Sequence, residues 1–162
     1  EDARCRDREH TRSAAEVENA LKPALSRQTV NRVQATECRR VMRRAERLDM
    51  ALLSVGTMAP GSTAFRFNLV SDEDRVALMK MGAVGDLLFN FYDRDGQLVD
   101  HPVNQRVMSI PIDQIRTVPS RVIASGGNDK VECLLGAIKL VDCNVLITNE
   151  ATARELLIRR RG

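Results

Sequence analysis

The sequence lacks long hydrophobic runs and the short glycine motifs of nucleotide-binding loops. No apolar stretch among its 162 residues approaches the ~20 that a membrane span needs. The N-terminus is rich in Arg and Glu where a signal peptide would be apolar. Neither G-x-x-x-x-G-K-[ST] nor G-x-G-x-x-G occurs. The sequence therefore predicts a cytoplasmic protein with no membrane contact and no nucleotide loop of either type.

Paired cysteines and clustered histidines are also missing. The four cysteines include no C-x-x-C pair, and no histidine stands at zinc-ligand spacing from them. We therefore interpret the cysteines as reduced thiols. His10 and His101 stand apart from any Ser or Cys arranged as a triad would require. We predict no metal, no cofactor and no catalytic residue. The cysteines are Cys5, Cys38, Cys133 and Cys143.

An excess of basic over acidic residues is present, but it is confined to the first third of the chain. Residues 1–48 hold twelve Lys or Arg against eight Asp or Glu, whereas residues 49–162 hold thirteen against fourteen. The pairs Arg39-Arg40 and Arg43-Arg44 could meet a phosphate backbone. Because they recur at helical spacing among apolar residues, we favour a solvated helix face over direct DNA contact.

The first 35 residues are predicted to be a charged tail and a short helix. Residues 1–12 are mostly charged and lack apolar periodicity, which is typical of a loosely held tail. Ser13 and Glu16 form a capping box that opens a helix to about Leu21, and a proline two residues later ends it.

A second helix is predicted over 35–48, at the start of a domain that spans 36–162. One apolar stripe of this helix faces inward while its arginines face outward. The stripe comprises Val41, Met42, Ala45 and Leu48.

After residue 49, short apolar runs alternate with helical segments. Residues 50–55 form a continuous apolar run, which indicates a strand buried on both faces. The strands predicted at 121–125 and 144–148 lead into helices over about 129–140 and 149–159. Repetition of strand, loop and helix predicts an α/β fold, with a Rossmann-like parallel sheet flanked by helices.

A β-hairpin is predicted to be inserted between these units. Residues 87–92 form a strand, 93–96 a glycine-containing turn and 97–99 a returning strand. Ahead of it, Ser71 and Asp74 cap a helix whose methionines we interpret as core filler.

Three loops are expected to meet at the C-terminal edge of the sheet, where open α/β sheets bind ligands. They are Gly56-Thr57, Gly85-Asp86 and the loop from Gly126 to Lys130. Gly126 and Gly127 allow close backbone approach, the following helix start favours an anion, and Lys130 adds positive charge. A tight strand-to-helix turn is the structural alternative.

Asp86 also allows two interpretations. Its carboxylate caps a turn, or it accepts hydrogen bonds from ligand hydroxyl groups. In the second case Asp86 and Lys130 should lie close together, because the parallel sheet brings both loops to one side. They would then present an acceptor and a donor to an anionic, polyhydroxylated ligand.

An ordered series of motifs resembles the sugar-binding domain of SorC/DeoR-type bacterial transcription regulators. The resemblance covers about residues 36–160, and the strand that ends at Gly56 precedes the series of motifs. The motifs are Gly82-Ala-Val-Gly-Asp86, Phe91-Tyr-Asp-Arg-Asp-Gly96, Asn104-Gln-Arg-Val107, Pro119-Ser-Arg-Val122, Gly126-Gly127-x-x-Lys130 and Leu146-Ile-Thr-Asn-Glu150-Ala-Thr-Ala153.

The resemblance implies a fold like that of sugar-phosphate isomerases and deaminases, and a regulator whose operator binding responds to a phosphorylated sugar or sugar alcohol. It implies that Asp86 holds effector hydroxyl groups and that Lys130 lies beside Gly126 and Gly127. Gly56 and Thr57 would line the same pocket. Family members bind DNA through a helix-turn-helix and assemble as dimers or tetramers.

Residues 1–35 show neither a helix-turn-helix nor the family's first strand and phosphate-gripping loop. We therefore expect an incomplete domain that self-associates through uncovered apolar surface. An isomerase- or deaminase-like enzyme and an assembly fragment without a ligand are the alternative functions. An enzyme would need a positioned acid/base pair, for which Asp86 and Lys130 are the candidates.

Overall fold

The computed structural model describes residues 27–66 and 69–160. The predicted tail at 1–12 and the helix from Ser13 lie outside this range. Contacts within the chain divide it into two compact units, residues 1–43 and 44–162. Every strand described belongs to the second unit.

The described elements alternate in the order expected for an α/β protein. The strands are β1 (Met50–Leu53), β2 (Gly56–Thr57), β3 (Ala83–Leu87), β4 (Asn90–Asp93), β5 (Ser120–Ala124) and β6 (Val145–Ile147). The helices are α1 (Arg27–Ala45), α2 (Thr63–Arg66), α3 (Asp72–Lys80), α4 (Pro102–Gln105), α5 (Ile112–Thr117), α6 (Val131–Leu140) and α7 (Glu150–Arg160). A short 3-10 helix, Asn128–Lys130, precedes α6.

A three-stranded parallel sheet in the order β1-β5-β6 forms the centre of the second unit. Leu53 lies beside Ile123, and Ile123 beside Leu146, on the face that packs in the core with α6. Leu134 and Ala137 of α6 are fully buried there. The α/β class and the parallel arrangement predicted from the sequence are confirmed.

The prediction that the first strand is buried on both faces is wrong. Burial alternates along β1, since Ala51 and Leu53 are buried while Met50 and Leu52 are exposed. On β6, Val145 and Ile147 are likewise exposed. Side chains alternate between the two faces of a strand. One sheet face therefore packs in the core, while the other carries an apolar surface that the described residues leave open.

A three-stranded antiparallel sheet in the order β2-β3-β4 lies beside a separate core. The buried residues of this core include Phe65, Leu78, Phe91 and Val103. Phe65 and Phe91 have ring centroids 6.0 Å apart, a distance typical of aromatic pairs in protein cores.

The single strand predicted at 87–92 is wrong, because a tight turn divides it. β3 ends at Leu87, β4 begins at Asn90, and these two residues are paired. The predicted turn over 93–96 is present, with the Gly96 N–H donating to the carbonyl of Asp93. The returning segment pairs with β4 through a bridge between Tyr92 and Leu98, and the Val99 N–H donates to the Phe91 carbonyl.

The predicted cap of α3 is confirmed, since the Asp74 N–H donates to Ser71 Oγ at 3.0 Å. The methionines near this helix are not core residues, because Met79 and Met81 are about half exposed. Leu78 is the buried residue of this nine-residue helix. A helix of little more than two turns presents few side chains to a core on one side.

The helix predicted over 35–48 is present as the end of α1, which begins earlier, at Arg27, and ends at Ala45, so Leu48 lies beyond the helix. Ala45 is buried and Met42 is half-buried, but Val41 is exposed, so its assignment to the inward stripe is wrong. Helical periodicity places Val41, four residues before Ala45, on the same side of the helix, so the exposure of Val41 could not be predicted from the helical angle alone. The paired arginines are exposed, as a solvated face requires.

Candidate functional site

The loops that follow the three parallel strands emerge at one edge of the sheet. β1 continues through Val55 to Gly56, β5 continues into the loop ending at Lys130, and β6 continues into Thr148 and Asn149. Strands that run parallel have their carboxyl ends on the same side. The predicted ligand edge therefore gathers residues from three segments that are distant in sequence.

Asp86 reaches this edge through the antiparallel sheet. In the β2–β3 pair, Gly56 lies opposite Asp86, and Thr57 lies opposite Gly85. The carboxylate occupies the space beside Gly56, since a β-carbon built on Gly56 would stand 2.0 Å from Asp86 Oδ1. The other oxygen, Oδ2, accepts a hydrogen bond from the Phe89 N–H at 3.2 Å. A side chain at residue 56 is thus incompatible with this position of the carboxylate.

The Asp86 carboxyl is buried, with 9% of the residue exposed. Burial raises its pKa above the ordinary 3.8, and the hydrogen bond from Phe89 partly opposes that rise. Among the described residues, no Lys, Arg or His lies within ion-pair distance of this carboxyl. The site therefore holds an acceptor whose charge is poorly compensated by the protein itself.

Replacing Asp86 with Asn is expected to stabilise the domain at neutral pH. Because folding raises the pKa of Asp86, the folded state binds the proton more tightly, and stability falls as the pH rises from 3.8 through the folded pKa. Asn mimics the protonated form and removes that loss. Urea unfolding between pH 4 and 8 should show that Asp86→Asn is more stable than the wild type, by an amount that shrinks towards pH 4. Asp95→Asn is the control, since Asp95 is exposed and paired with Lys139, and equal profiles for the two variants would contradict the account.

The Gly126-Gly127 loop is held to the start of α7. The Gly127 N–H donates to Thr152 Oγ1 at 3.0 Å, and the Thr152 N–H donates to Asn149 Oδ1 at 2.9 Å. Gly127 has a φ of +127°, a value that residues with a β-carbon rarely adopt. A β-carbon on Gly126 would come within 2.8 Å of Asn149 Nδ2. The glycines here serve the tight turn, and the space beside them is filled by the side chains of Asn149 and Asp129.

Lys130 ends the same loop, and its Nζ donates to Ser125 Oγ at 3.3 Å. The 3-10 helix that carries Lys130 contacts β2, and both Lys130 and Asp86 lie within electrostatic range of the Cys133 thiol. The structure thus brings both Asp86 and Lys130 into the neighbourhood of Cys133. No ion pair joins these two described residues.

Two buried groups flank the site and remain neutral at physiological pH. Burial raises the pKa of the Cys133 thiol to about 11, and this thiol donates to the Val84 carbonyl. Burial also raises the pKa of Tyr92, whose hydroxyl donates to the Cys133 carbonyl at 3.0 Å. Cys38, Cys133 and Cys143 are free thiols. Of the three buried groups Asp86, Cys133 and Tyr92, only Asp86 can therefore carry a charge at physiological pH.

The sequence reasoning missed the contribution of the third loop. Thr148 Oγ1 is buried and has no hydrogen-bond partner within the described part of the chain. It lies against Gly126, 3.3 Å from a β-carbon built there. The rule that located the other loops also applies to residues directly after β6, so position alone could have identified Thr148.

The arrangement suits recognition of hydroxyl groups together with an anion. Asp86 offers acceptor oxygens and Lys130 and Ser125 offer donors, while the buried Thr148 hydroxyl has no hydrogen-bond partner among the described residues. Among residues 27–66 and 69–160, no cluster of His, Cys, Asp and Glu could hold a metal ion. None of the described helices is long and apolar enough to cross a bilayer.

Known proteins are similar to this chain in sequence and fold. Residues 17–158 match the family model described as "Putative sugar-binding domain". The chain is 30% identical over 118 residues to the deoxyribonucleoside regulator of Bacillus subtilis, covering 73% of this chain and 37% of that protein. It is 28% identical over 148 residues to the transcriptional regulator LsrR of an Enterobacter strain, covering 90% of this chain and 42% of that protein.

The fold is also found in solved regulator structures. The full-length sorbitol operon regulator SorC of Klebsiella pneumoniae superposes with a TM-score of 0.69 and 25% identity, covering 78% of this chain and 41% of that one. The sugar-binding domain of a transcriptional repressor from Vibrio fischeri gives the same TM-score and identity, covering 76% and 50%. The chain spans about two fifths of the length of the two curated relatives described above.

Proposed function

Because the chain belongs to the sugar-binding domain family of DeoR- and SorC-type transcriptional regulators, we propose that it binds a phosphorylated sugar or sugar alcohol. In this proposal, binding changes how the parent regulator holds its operator DNA. The relatives are transcriptional regulators rather than enzymes, so the ligand is an effector and not a substrate.

The buried Asp86 carboxylate carries the proposal. A carboxylate removed from water costs free energy unless hydrogen bonds or charges compensate it. Here the Phe89 N–H donates to Oδ2 of Asp86, and Oδ1 lies beside Gly56. Ligand hydroxyl groups would supply the missing donors.

The anionic part of the ligand is assigned to the loop that ends at Lys130. Lysine is a common phosphate ligand, and Gly126 and Gly127 let a phosphate approach the backbone closely. Thr57, on β2 opposite Gly85, completes the proposed pocket. The effector is then a molecule with hydroxyl groups towards Asp86 and a phosphate towards Lys130.

The remaining proposals concern the whole regulator. DNA binding would reside in a helix-turn-helix domain elsewhere in the polypeptide, and the protein would act in the cytoplasm. The exposed residues Met50, Leu52, Val145 and Ile147 share one sheet face. An apolar face of this kind supports self-association as a dimer or tetramer.

Sugar phosphates are expected to stabilise the chain without being converted. A ligand at a hundredfold excess over its Kd stabilises the folded state by about 2.7 kcal/mol. The relatives' names mention a deoxyribonucleoside and a sorbitol operon, so we choose phosphates of the corresponding sugar and sugar alcohol, 2-deoxyribose 5-phosphate and sorbitol 6-phosphate, as probes. Thermal unfolding with each probe, beside product analysis by NMR, tests this. Turnover would support an isomerase- or deaminase-like enzyme instead, and no stabilisation by a wider panel of sugar phosphates would support an assembly role without a ligand.

A further inference from the structure

The turn between β3 and β4 has an unusual backbone. Two residues, Leu88 and Phe89, connect the strands, and their φ angles are +54° and +61°. Positive φ at both central positions defines a type I′ turn, which normally uses Asn and Gly. Leu and Phe enter this region rarely, because the β-carbon crowds the backbone. Something in the surroundings must therefore hold the turn in place.

Side-chain hydrogen bonds supply that support. Asn90 is buried, and its Nδ2 lies 3.3 Å from the Leu87 carbonyl oxygen and 3.1 Å from that of Leu88. The same Nδ2 donates to Ser109 Oγ at 3.0 Å. Ser109 lies outside the hairpin, in the segment before α5. The turn is thus tied to a second part of the chain through one amide group.

The two turn side chains are anchored in different places. Leu88 packs against the core of the parallel sheet, and Phe89 packs against the core beside the antiparallel sheet. A hairpin turn at the surface would leave both free. The backbone conformation of the turn is therefore fixed by the packing of Leu88 and Phe89 in two cores and by the hydrogen bonds of the Asn90 amide. It is not fixed by the intrinsic preferences of the two turn residues.

The turn acts on the candidate site through one N–H group. Phe89 N–H donates to Asp86 Oδ2, while Oδ1 lies beside Gly56. The left-handed φ angles set the plane of the peptide between Leu88 and Phe89, and hence the direction of this N–H. A turn with ordinary negative φ angles would point the N–H elsewhere.

We infer that Asn90 and Ser109 are positioning residues, which hold the Leu88-Phe89 turn so that the Phe89 N–H fixes the Asp86 carboxylate for ligand hydroxyl groups. This inference rests on the proposed function. Strained backbone persists where the surrounding structure enforces it, often beside binding sites. Binding groups need support from residues behind them to keep a productive geometry.

Ser109→Ala tests the inference, with Ser62→Ala as the matched control. Ser62 Oγ is buried and has no hydrogen-bond partner within the described residues. Ser109→Ala should loosen the turn and raise the pKa of Asp86, because the hydrogen bond from Phe89 lowers it. Affinity for sorbitol 6-phosphate or 2-deoxyribose 5-phosphate should fall about threefold to tenfold, as for a lost neutral hydrogen bond. Ser62→Ala should change neither quantity, and Ser109→Thr, which keeps the hydroxyl, should restore both.

The pKa of Asp86 can be followed by carboxyl NMR on the 162-residue chain without any ligand. The titratable neighbours that interact with it, Tyr92 and Cys133, both have pKa values raised by burial. Neither of these groups therefore titrates near neutrality, and the signal reports on Asp86 alone.

Asn90→Ala removes the whole support and should shift the pKa of Asp86 further in the same direction. If Asn90→Ala does not fold, Ser109→Ala still decides the matter. An unchanged Asp86 pKa and unchanged affinity in Ser109→Ala would overturn the inference while leaving the proposed function intact. A raised pKa in Ser109→Ala, with no sugar phosphate bound by the wild type, would support the role of the turn and reject the proposed function.

Discussion

Replacing Gly56 with Ala is expected to remove most of the response to sugar phosphate. The new methyl group would stand 2.0 Å from Asp86 Oδ1 and 2.9 Å from its carboxyl carbon. The carboxylate must move, which breaks its alignment with the Phe89 N–H and with the ligand. Losing hydrogen bonds to a charged group costs about 1.5–3 kcal/mol, so affinity should fall roughly tenfold to a hundredfold.

Gly61→Ala is the control for this prediction. A β-carbon on Gly61 would meet nothing within 4 Å, so the same chemical change should leave affinity unaltered. Calorimetric titration of the two variants compares them directly. Normal affinity in Gly56→Ala would show that the position of the Asp86 carboxylate is irrelevant to binding.

A second large effect is expected in β1, where Leu52 and Leu53 are adjacent but point to opposite faces. Leu53 is 7% exposed in the core and Leu52 is 67% exposed. Leu53→Ala should cost about 2–5 kcal/mol of stability, the usual range for a buried leucine. Leu52→Ala should cost no more than about 0.5 kcal/mol, as at other exposed positions.

Urea unfolding at low protein concentration measures both costs. If the outer face of the sheet mediates self-association, the cost of Leu52→Ala should grow with protein concentration, while that of Leu53→Ala should not. Equal, concentration-independent costs would contradict the one-sided burial of β1.

The order of elements in the parallel sheet could be predicted from the sequence, because short apolar runs and helical periodicity are local signals. That β1 is buried on one face only could not be predicted. Met50 and Leu52 are apolar residues in the sequence whether or not another element packs over them. The β3–β4 turn was missed for a related reason. Leu88 and Phe89 carry no turn signature, and their conformation depends on Asn90, Ser109 and two cores.

The candidate site, too, could be predicted from the sequence only in part. Glycines next to strand ends, such as Gly56 and Gly126, could be selected from the sequence because backbone rules apply to them directly. The structure was needed to find the contact between Gly56 and the Asp86 carboxylate and the hydrogen bond from Lys130 to Ser125. It was also needed to find the Thr148 hydroxyl, which has no partner among the described residues. Each depends on residues brought together by pairing between distant segments.

Calorimetric titration of the chain with sorbitol 6-phosphate and 2-deoxyribose 5-phosphate tests the central claim most directly. The comparison uses Asp86→Asn and Lys130→Met, with Asp95→Asn and Lys139→Met as controls that remove an exposed ion pair. We predict that the wild type and both controls bind at least one probe with similar affinity, and that the two site variants lose about tenfold or more. Site variants that bind as tightly as the wild type would contradict the assignment of this edge as the effector site.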